Sequence, residues 1–189
     1  MDMKNEIRKQ NKLMRLQMEE AEVREKSALA AANFLGSNIY KHSKTLMLYM
    51  PLKNETDTVE IINTAFADGK KVVFPVTNDE TYEITPYYAK EDGEFSVGAF
   101  HILEPNTKKV ADVCDIDVIL VPGIAFSKSG VRVGFGKGCY DRLLENTKAI
   151  KVGYCYDFQL CNEIPSDIHD VSMDYIVSEC GIIKCYIWR

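Results

Sequence analysis

The chain has 189 residues, of which 46% are hydrophobic, and it carries a formal net charge of −5 at pH 7. This length predicts a single domain over residues 1–189 with an ordinary core, and the negative charge argues against a nucleic-acid-binding protein, which must neutralise many phosphates. No apolar run approaches the roughly 18 residues of a membrane span, and the first residues lack the apolar stretch of a secretory signal, so we expect a cytoplasmic protein without membrane contact.

Hydrophobic periodicity and turn residues predict alternating helices and strands along the chain. The first half contains a helix to about residue 20, a helix over 23–40, a strand over 44–50, a helix over 58–67 that Gly69 ends, a strand over 71–75 and an edge strand over 82–88. The second half contains a strand over 116–121, a helix start over 140–144, a strand over 149–155 and final strands over 175–178 and 182–187. This alternation predicts an α/β, three-layer domain with a mainly parallel sheet.

The predicted sheet also predicts where a ligand binds. In open α/β sheets ligands lie beyond the carboxyl ends of the strands. Residues 50–55, the chain from 75 onward and residues 123–141 all follow predicted strands. We expect them to meet at one rim, which is the predicted active site.

The first predicted helix concentrates positive charge in an acidic protein. Its cations recur at helical spacing, at Lys4, Arg8, Lys12 and Arg15. The apolar side of the same helix is predicted to consist of Met3, Ile7, Met14, Met18 and Ala21. A solvated helix face would give the same stripe of cations. Lys4 and Arg8, however, would point the same way and could hold one polyphosphate.

A glycine-rich segment over residues 121–141 lies between a predicted strand and a predicted helix. It contains a run of alternating glycines at Gly134, Gly136 and Gly138. These glycines permit positive φ and close approach of a ligand, so successive N–H groups can converge on an anion. Arg132 and Lys137 add positive charge, and the helix amino end favours phosphate. The segment predicts a phosphate cradle, with Asp141 placed to hold a metal ion.

Three other interpretations of this segment compete with a phosphate cradle. A Walker loop requires serine or threonine after the lysine, and here Gly138 follows Lys137, so that motif is excluded. A dinucleotide-binding fingerprint is a poor match, although Asp157 lies at roughly the expected distance of 20 residues. A flexible loop without a ligand is the third interpretation.

The longer pattern resembles a known family. Arg132-x-Gly-x-Gly-x-Gly-x-Tyr-Asp-Arg142, following Val121-Pro-Gly-x-Ala-Phe126, resembles the signature of 5-formyltetrahydrofolate cyclo-ligases, also called 5,10-methenyltetrahydrofolate synthetases. The family usually has tyrosine at the position of Cys139, a departure that concerns a packing contact of that ring. Lys4-x-x-x-Arg8 resembles the family's nucleotide-contacting pair. Glu55-Thr-Asp-Thr58 resembles its substrate element, and the acidic segment 169–174 resembles the one that supplies a second magnesium contact.

This resemblance implies the fold shared with phosphosugar isomerases and CoA transferases. It also implies an enzyme that uses ATP and magnesium to convert 5-formyltetrahydrofolate to 5,10-methenyltetrahydrofolate, releasing ADP and phosphate. A formamide oxygen is a poor leaving group, so it would be phosphorylated before the neighbouring amine closes the ring. Positioning and charge neutralisation dominate such phosphoryl transfers.

The resemblance also implies residue roles. The residues expected to bind ATP are Lys4, Arg8, Arg132, Gly134, Phe135, Gly136, Lys137, Gly138, Cys139 and Tyr140, with Arg132 and Lys137 as the catalytic cations. The residues expected to contact the folate are Met50, Glu55, Phe100, Phe135 and Tyr140. The residues expected to hold Mg²⁺ are Asp141 and Asp170, because magnesium prefers carboxylate, phosphate and water oxygens.

Several alternatives stay open at this point. Glu55 could be a turn or helix-start carboxylate, Arg142 a structural ion-pair partner, and Asp174 a cap or surface charge. Phe100 and Tyr82, which could stack on a ligand, could equally belong to the core. The six cysteines are predicted to be buried free thiols, and the scattered histidines predict no zinc site. Alternative functions are a phosphosugar isomerase-like or kinase-like enzyme of the same fold, or a nucleotide-binding module without chemistry.

Overall fold

The structure is a computed structural model that describes residues 3–107 and 109–186. Its helices and strands in chain order are α1 (Met3–Gln17), α2 (Glu20–Gly36), α3 (Asn38–His42), β1 (Thr45–Met47), α4 (Val59–Ala67), β2 (Lys71–Thr77), β3 (Ile84–Tyr88), β4 (Phe95–Val97), β5 (Leu103–Pro105), β6 (Val118–Val121), β7 (Ala125–Ser127), β8 (Arg132–Val133), α5 (Cys139–Leu144), β9 (Ile150–Tyr154), β10 (Leu160–Cys161), β11 (Tyr175–Ser178) and β12 (Gly181–Lys184). Short 3-10 turns lie at Ala99–His101, Val113–Asp115 and Asp157–Gln159.

A seven-stranded sheet in the order β12-β11-β9-β6-β1-β2-β3 forms the centre of the fold. Its five inner strands are parallel, and the two edge strands, β12 and β3, are antiparallel to their neighbours. In β6, Val118 and Leu120 pack with α2 and α4, whereas Ile119 and Val121 pack on the opposite face with α5. Because both faces are covered, the inner strands are apolar runs. The predicted mainly parallel α/β sheet is confirmed.

Most predicted elements agree with the structure to within two residues at each end. These are the helix over 58–67 and the strands over 71–75, 82–88, 116–121, 149–155 and 175–178. Gly69 ends the helix with a φ of 69°, as predicted. The helix predicted over 23–40 is two helices, since Ser37 ends α2 and its hydroxyl accepts from the Tyr40 N–H to begin α3. The last predicted strand ends at Lys184, and residue 187 lies outside the described residues.

Lys4 and Arg8 point into one cavity as predicted, but the apolar side of α1 is not the side buried against the protein, apart from Ile7. The described residues buried on α1 are Lys4, Asn11 and Arg15, whereas Met3 and Met14 are 57% and 44% exposed. The helix therefore turns a polar face towards the protein. Charges can be buried there because Lys4 and Arg15 each meet a carboxylate on another part of the chain.

The sequence also missed two small sheets. One is the three-stranded sheet β10-β7-β8, and the other is the hairpin of β4 and β5. Their strands have two or three residues each, too few to give an alternating hydrophobic pattern. The cysteine prediction is correct for Cys155 and Cys185, which are buried, and wrong for Cys114 and Cys180, which are exposed in surface turns. Among the described helices, none has the length and apolar character needed to cross a lipid bilayer.

The ring of Phe126 occupies a notch that two glycines leave open between β6 and β9. A Cβ built on Gly153 would lie 2.6 Å from Phe126 Cε1, and one on Gly123 would lie 2.5 Å from Phe126 Cζ. Both contacts are shorter than atoms tolerate, so the sheet and the segment leading to the glycine loop can approach only with glycine at these positions.

We expect Gly153→Ala to lower the free energy of unfolding by about 1–3 kcal/mol, because it overpacks a fully buried ring. Chemical denaturation of the purified variant measures this. The control is Gly36→Ala at the end of α2, where an added Cβ meets nothing within 4 Å and should cost nothing. Equal stability of Gly153→Ala and wild type would show that the notch is not tightly packed.

Candidate functional site

A cavity of about 1070 Å³ opens at the rim where the parallel strands end. The segments after β1 and β6 contribute to it, as do the carboxyl-terminal half of β2, the glycine-rich segment and the amino-terminal half of α1. Every site residue predicted from the sequence lines this cavity, namely Lys4, Arg8, Met50, Glu55, Phe100, Arg132, Gly134, Phe135, Gly136, Lys137, Gly138, Cys139, Tyr140, Asp141 and Asp170. The predicted meeting of these segments at one rim is confirmed, whereas the roles of the residues stay predictions.

The glycine loop connects β8 to α5, and its three glycines are required for two different reasons. Gly136 and Gly138 have φ values of 96° and 66°, a region that other residues rarely adopt. At Gly134 the constraint is space, because an added Cβ would lie 2.5 Å from Arg132 Nη1. The loop can therefore fold closely over the guanidinium of Arg132.

Arg132 is buried, with 8% of its surface exposed, at the floor of the loop. Its Nη2 donates to Asp141 Oδ2 over 2.9 Å, and its Nη1 donates to the carbonyl of Pro122. Its Nε is buried without a hydrogen-bond partner among the described residues. An unpaired buried donor is costly, and an anionic oxygen bound in the cavity would supply the missing acceptor.

Tyr140 lies beside this guanidinium, with the Arg132 Cζ atom 5.6 Å from the centre of its ring. Burial raises the pKa of Tyr140, and the positive charge of Arg132 only partly opposes that effect. The phenol therefore stays protonated at neutral pH and can donate a hydrogen bond into the cavity.

Lys4 lies between two carboxylates of the acidic segment. Its Nζ is 2.5 Å from Asp167 Oδ2 and 2.6 Å from Asp170 Oδ2. Burial disfavours the charged ammonium, but the hydrogen bonds and charges of Asp167 and Asp170 outweigh burial and raise the pKa of Lys4. The hydrogen bond from Lys4 in turn lowers the pKa of Asp167. Both shifts favour the charged forms of Lys4 and Asp167.

The two predicted magnesium ligands belong to neighbouring segments. Asp141 Oδ1 accepts from the N–H of Val171 over 3.4 Å, which places the residue after Asp170 against Asp141. Within residues 3–107 and 109–186 no cluster of three or more His, Cys, Asp or Glu side chains could hold a metal alone. A magnesium ion that acts on nucleotides takes one or two carboxylates and completes its shell with phosphate and water. Asp141 and Asp170 fit that requirement.

Helix α1 also contacts the glycine loop directly. Arg8 Nε donates to the carbonyl of Gly134 over 2.9 Å, and Arg8 Nη1 donates to Asn5 Oδ1. One turn further, Lys12 Nζ lies 5.0 Å from the centre of the Phe135 ring. The predicted nucleotide-contacting cations therefore line the cavity from the helix side and hold the loop in place.

On the opposite side of the loop, Lys137 lies over an aromatic pair. Its Nζ is 4.7 Å from the centre of the Tyr82 ring, which stacks on Phe100 with centres 6.2 Å apart. Tyr82 and Phe100 both have φ near 60°, a strained conformation for aromatic residues. Phe100 lines the cavity, and Tyr82 supports it from behind.

Glu55 is buried, with 7% exposed, and its two carboxylate oxygens have different partners. Oε1 lies 3.3 Å from Arg15 Nη2, and Oε2 accepts from the N–H of Leu52 over 3.0 Å. The contact with Leu52 is the turn role considered from the sequence. Glu55 also lines the cavity near Met50, so the turn role and a ligand contact are compatible.

Arg142 and Asp174 both make contacts that stabilise the structure. Arg142 donates to the carbonyls of Lys137 and Tyr82, which ties the loop to the aromatic pair instead of forming the carboxylate ion pair considered from the sequence. Asp174 pairs with Lys151 at 2.9 Å and accepts from its N–H, so it is a structural charge.

Sequence reasoning missed three acidic residues that line the cavity, Asp167, Glu104 and Glu145. The spacing of Asp167 and Asp170 was an available signal. Glu104 accepts from the N–H of Thr77, and burial raises its pKa. It lies in a segment that the resemblance did not cover, so no sequence signal pointed to it.

Comparison with known proteins agrees with this geometry. The 5-formyltetrahydrofolate cyclo-ligase of Saccharomyces cerevisiae is 33% identical to the chain over 188 residues, covering 85% of this chain and 83% of the yeast protein. The NMR structure of Aquifex aeolicus 5,10-methenyltetrahydrofolate synthetase matches with a TM-score of 0.86 at 35% identity, covering 98% of this chain and 93% of that one. The Mycoplasma pneumoniae synthetase matches with a TM-score of 0.74 at 26% identity, covering 94% and 99%.

A sequence model of the 5-formyltetrahydrofolate cyclo-ligase family matches residues 1–179, nearly the whole chain. The matched range includes the glycine loop, the cations of α1 and the acidic segment described above. The chain belongs to the 5-formyltetrahydrofolate cyclo-ligase family and is an enzyme of the ligase class.

Proposed function

We propose that this protein uses ATP and magnesium to convert 5-formyltetrahydrofolate to 5,10-methenyltetrahydrofolate, with release of ADP and phosphate. The observation that carries the proposal is one cavity lined by a glycine loop and four cations on one side and by Glu55 with apolar side chains on another. The names of the relatives support the same reaction. Residues 1–189 would act as one domain, in the cytoplasm, with a fold related to phosphosugar isomerases and CoA transferases.

The first step would transfer a phosphoryl group. The formyl oxygen attacks the γ-phosphorus of ATP, and the bond from that phosphorus to the bridging oxygen breaks to release ADP. Lys4, Arg8, Arg132 and Lys137 would neutralise the phosphates, and the amides of the glycine loop would orient them. Such transfer is mainly a matter of positioning and charge, which these groups supply.

The second step would close the ring. The neighbouring amine nitrogen attacks the formyl carbon, the carbon–oxygen bond to phosphate breaks, and the nitrogen loses its proton. Phosphate departs readily where the original formamide oxygen would not. Arg132 would stabilise the departing charge, since it is buried and has an unpaired donor.

Asp141 and Asp170 would hold a magnesium ion, which supplies further charge neutralisation at the phosphates. In the structure described here their charges are compensated by Arg132 and Lys4. Arg132 and Lys4 would therefore become available to phosphate oxygens when other positive charge compensates the aspartates.

The folate would bind on the other side of the cavity. Glu55 is an acceptor for N–H groups of the pterin, while Met50, Phe100, Phe135 and Tyr140 would offer apolar and stacking surfaces. Phe135 is 52% exposed, so its ring is accessible to a ligand.

The activity itself is tested by spectroscopic detection of methenyltetrahydrofolate. We expect product from 5-formyltetrahydrofolate only when both ATP and magnesium are present. Binding of ATP without product would favour the non-catalytic nucleotide-binding module. Turnover of a phosphorylated sugar in place of the folate would favour the isomerase-like alternative.

We expect Asp141→Asn to lower kcat by about 100-fold or more, since it removes charge at the predicted magnesium site. The asparagine oxygen can still accept from Arg132, so the thermal midpoint should fall by only about 2–4 °C. The magnesium concentration needed for half-maximal rate should rise. The control is Asp174→Asn, which weakens the ion pair with Lys151 and should leave kcat unchanged. Equal effects of both substitutions on kcat would make Asp141 structural.

We expect Lys137→Met to lower kcat by about 100-fold, because a cation would be missing from the phosphates in the transition state. Stability should change little, because the contact of the ammonium found among the described residues is the Tyr82 ring, 4.7 Å away. The matched control is Lys128→Met, an exposed lysine in the turn between β7 and β8. Steady-state kinetics with varied ATP measures both. A Lys137 variant with wild-type kcat would exclude a catalytic role.

A further inference from the structure

A buried ion pair lies behind the cavity and involves a residue that does not line it. Arg15 Nη2 and Glu55 Oε1 are 3.3 Å apart, and the two side chains are 9% and 6% exposed. Glu55 lines the cavity, whereas Arg15 stands behind it, next to Tyr49 and Gln159. An effect of Arg15 on a ligand would therefore be indirect, and Glu55 is the cavity residue with which Arg15 forms an ion pair.

The backbone around this pair is fixed by reciprocal hydrogen bonds. Arg15 Nε donates to the carbonyl of Asn54 over 3.2 Å, and Asn54 Nδ2 donates to the carbonyl of Arg15 over 2.7 Å. Asn54 has a φ of 58°, a left-handed conformation that asparagine tolerates better than most residues. The turn that carries Glu55 is thereby attached to the carboxyl-terminal end of α1.

The carboxylate itself is held at both oxygens. Arg15 approaches Oε1, and the Leu52 N–H donates to Oε2. The remaining lone pairs of the carboxylate are the ones available to a ligand. A guanidinium behind a carboxylate also offsets the cost of burying its negative charge, so the group keeps its full acceptor strength.

We propose that Arg15 is the positioning residue for Glu55, and that it sets the affinity for the folate without contacting it. The proposal rests on the proposed function, because it takes Glu55 as the acceptor for pterin N–H groups. Arg15 orients the carboxylate, and this role needs both the positive charge of the guanidinium and its planar set of N–H donors. Lysine could supply the charge but not the simultaneous contacts of Nε with Asn54 and of Nη2 with Glu55.

The test compares Arg15→Met, Arg15→Lys and Glu55→Gln with wild type in steady-state kinetics. We expect Arg15→Met to raise the KM for 5-formyltetrahydrofolate about tenfold or more, with the KM for ATP within about twofold of wild type. Arg15→Lys should recover part of this loss. The control is Lys9→Met, which removes an exposed cation from the same helix and should alter neither KM.

A double variant separates positioning from a general loss of structure. If Arg15 acts through Glu55, Arg15→Met combined with Glu55→Gln should raise the folate KM no further than Glu55→Gln alone. This double variant removes both buried charges and so remains testable if Arg15→Met by itself does not fold. Additive effects of the two substitutions, or equal increases in the KM for ATP and folate, would overturn the proposal.

The proposed function and the positioning role of Arg15 can be rejected separately. Wild-type protein that forms no methenyltetrahydrofolate would reject the proposed function. Active wild-type protein, together with an Arg15→Met variant that has lower thermal stability but an unchanged folate KM, would reject the positioning role alone.

Discussion

The burial of a charged helix face is the constraint on which the rest of this structure depends. Helix α1 is attached through Lys4 at one end and Arg15 at the other, each paired with carboxylates elsewhere in the chain. Eleven residues of helix separate them by roughly 16 Å. Asp170, paired with Lys4, belongs to the acidic segment, on the side where we propose that the nucleotide binds. Glu55, paired with Arg15, lies on the side proposed for the folate. A single helix therefore connects the two halves of the cavity, and Arg8 between them holds the glycine loop.

Ion pairs of this kind fix geometry more than they add stability. Burying two charges costs desolvation energy that their attraction only partly returns, yet removing one partner leaves an uncompensated charge and is costly. An apolar helix face could slide or rotate on a core with little penalty, whereas Lys4 and Arg15 each accept few positions. The same logic holds for Arg132 and Asp141 beneath the glycine loop. The site is organised by compensated charges, and in the proposed mechanism a charged ligand and a metal ion would rearrange those around Lys4 and Arg132.

The sequence was sufficient to predict the large, mainly parallel sheet and many of the residues that line the cavity. Continuous apolar runs such as 118–121 identify buried parallel strands, and the glycine, cation and acidic motifs all fall at the rim that those strands define. The orientation of α1 was not predictable in this way, because the methionines resemble a core-facing stripe. The ion pair of Arg15 with Glu55 instead buries the polar face of α1. The two residues are 40 positions apart, so no local sequence pattern encodes their contact. The hairpin of β4 and β5 was missed because strands of three residues are too short to show an alternating hydrophobic pattern.

A crystal structure with magnesium and a non-hydrolysable ATP analogue tests the central claim most directly. The account predicts that the triphosphate lies between α1 and the glycine loop, with Lys4 and Arg132 on phosphate oxygens, while Arg15 remains paired with Glu55. A nucleotide bound outside this cavity, or an α1 whose polar face turns to solvent when the nucleotide binds, would contradict it.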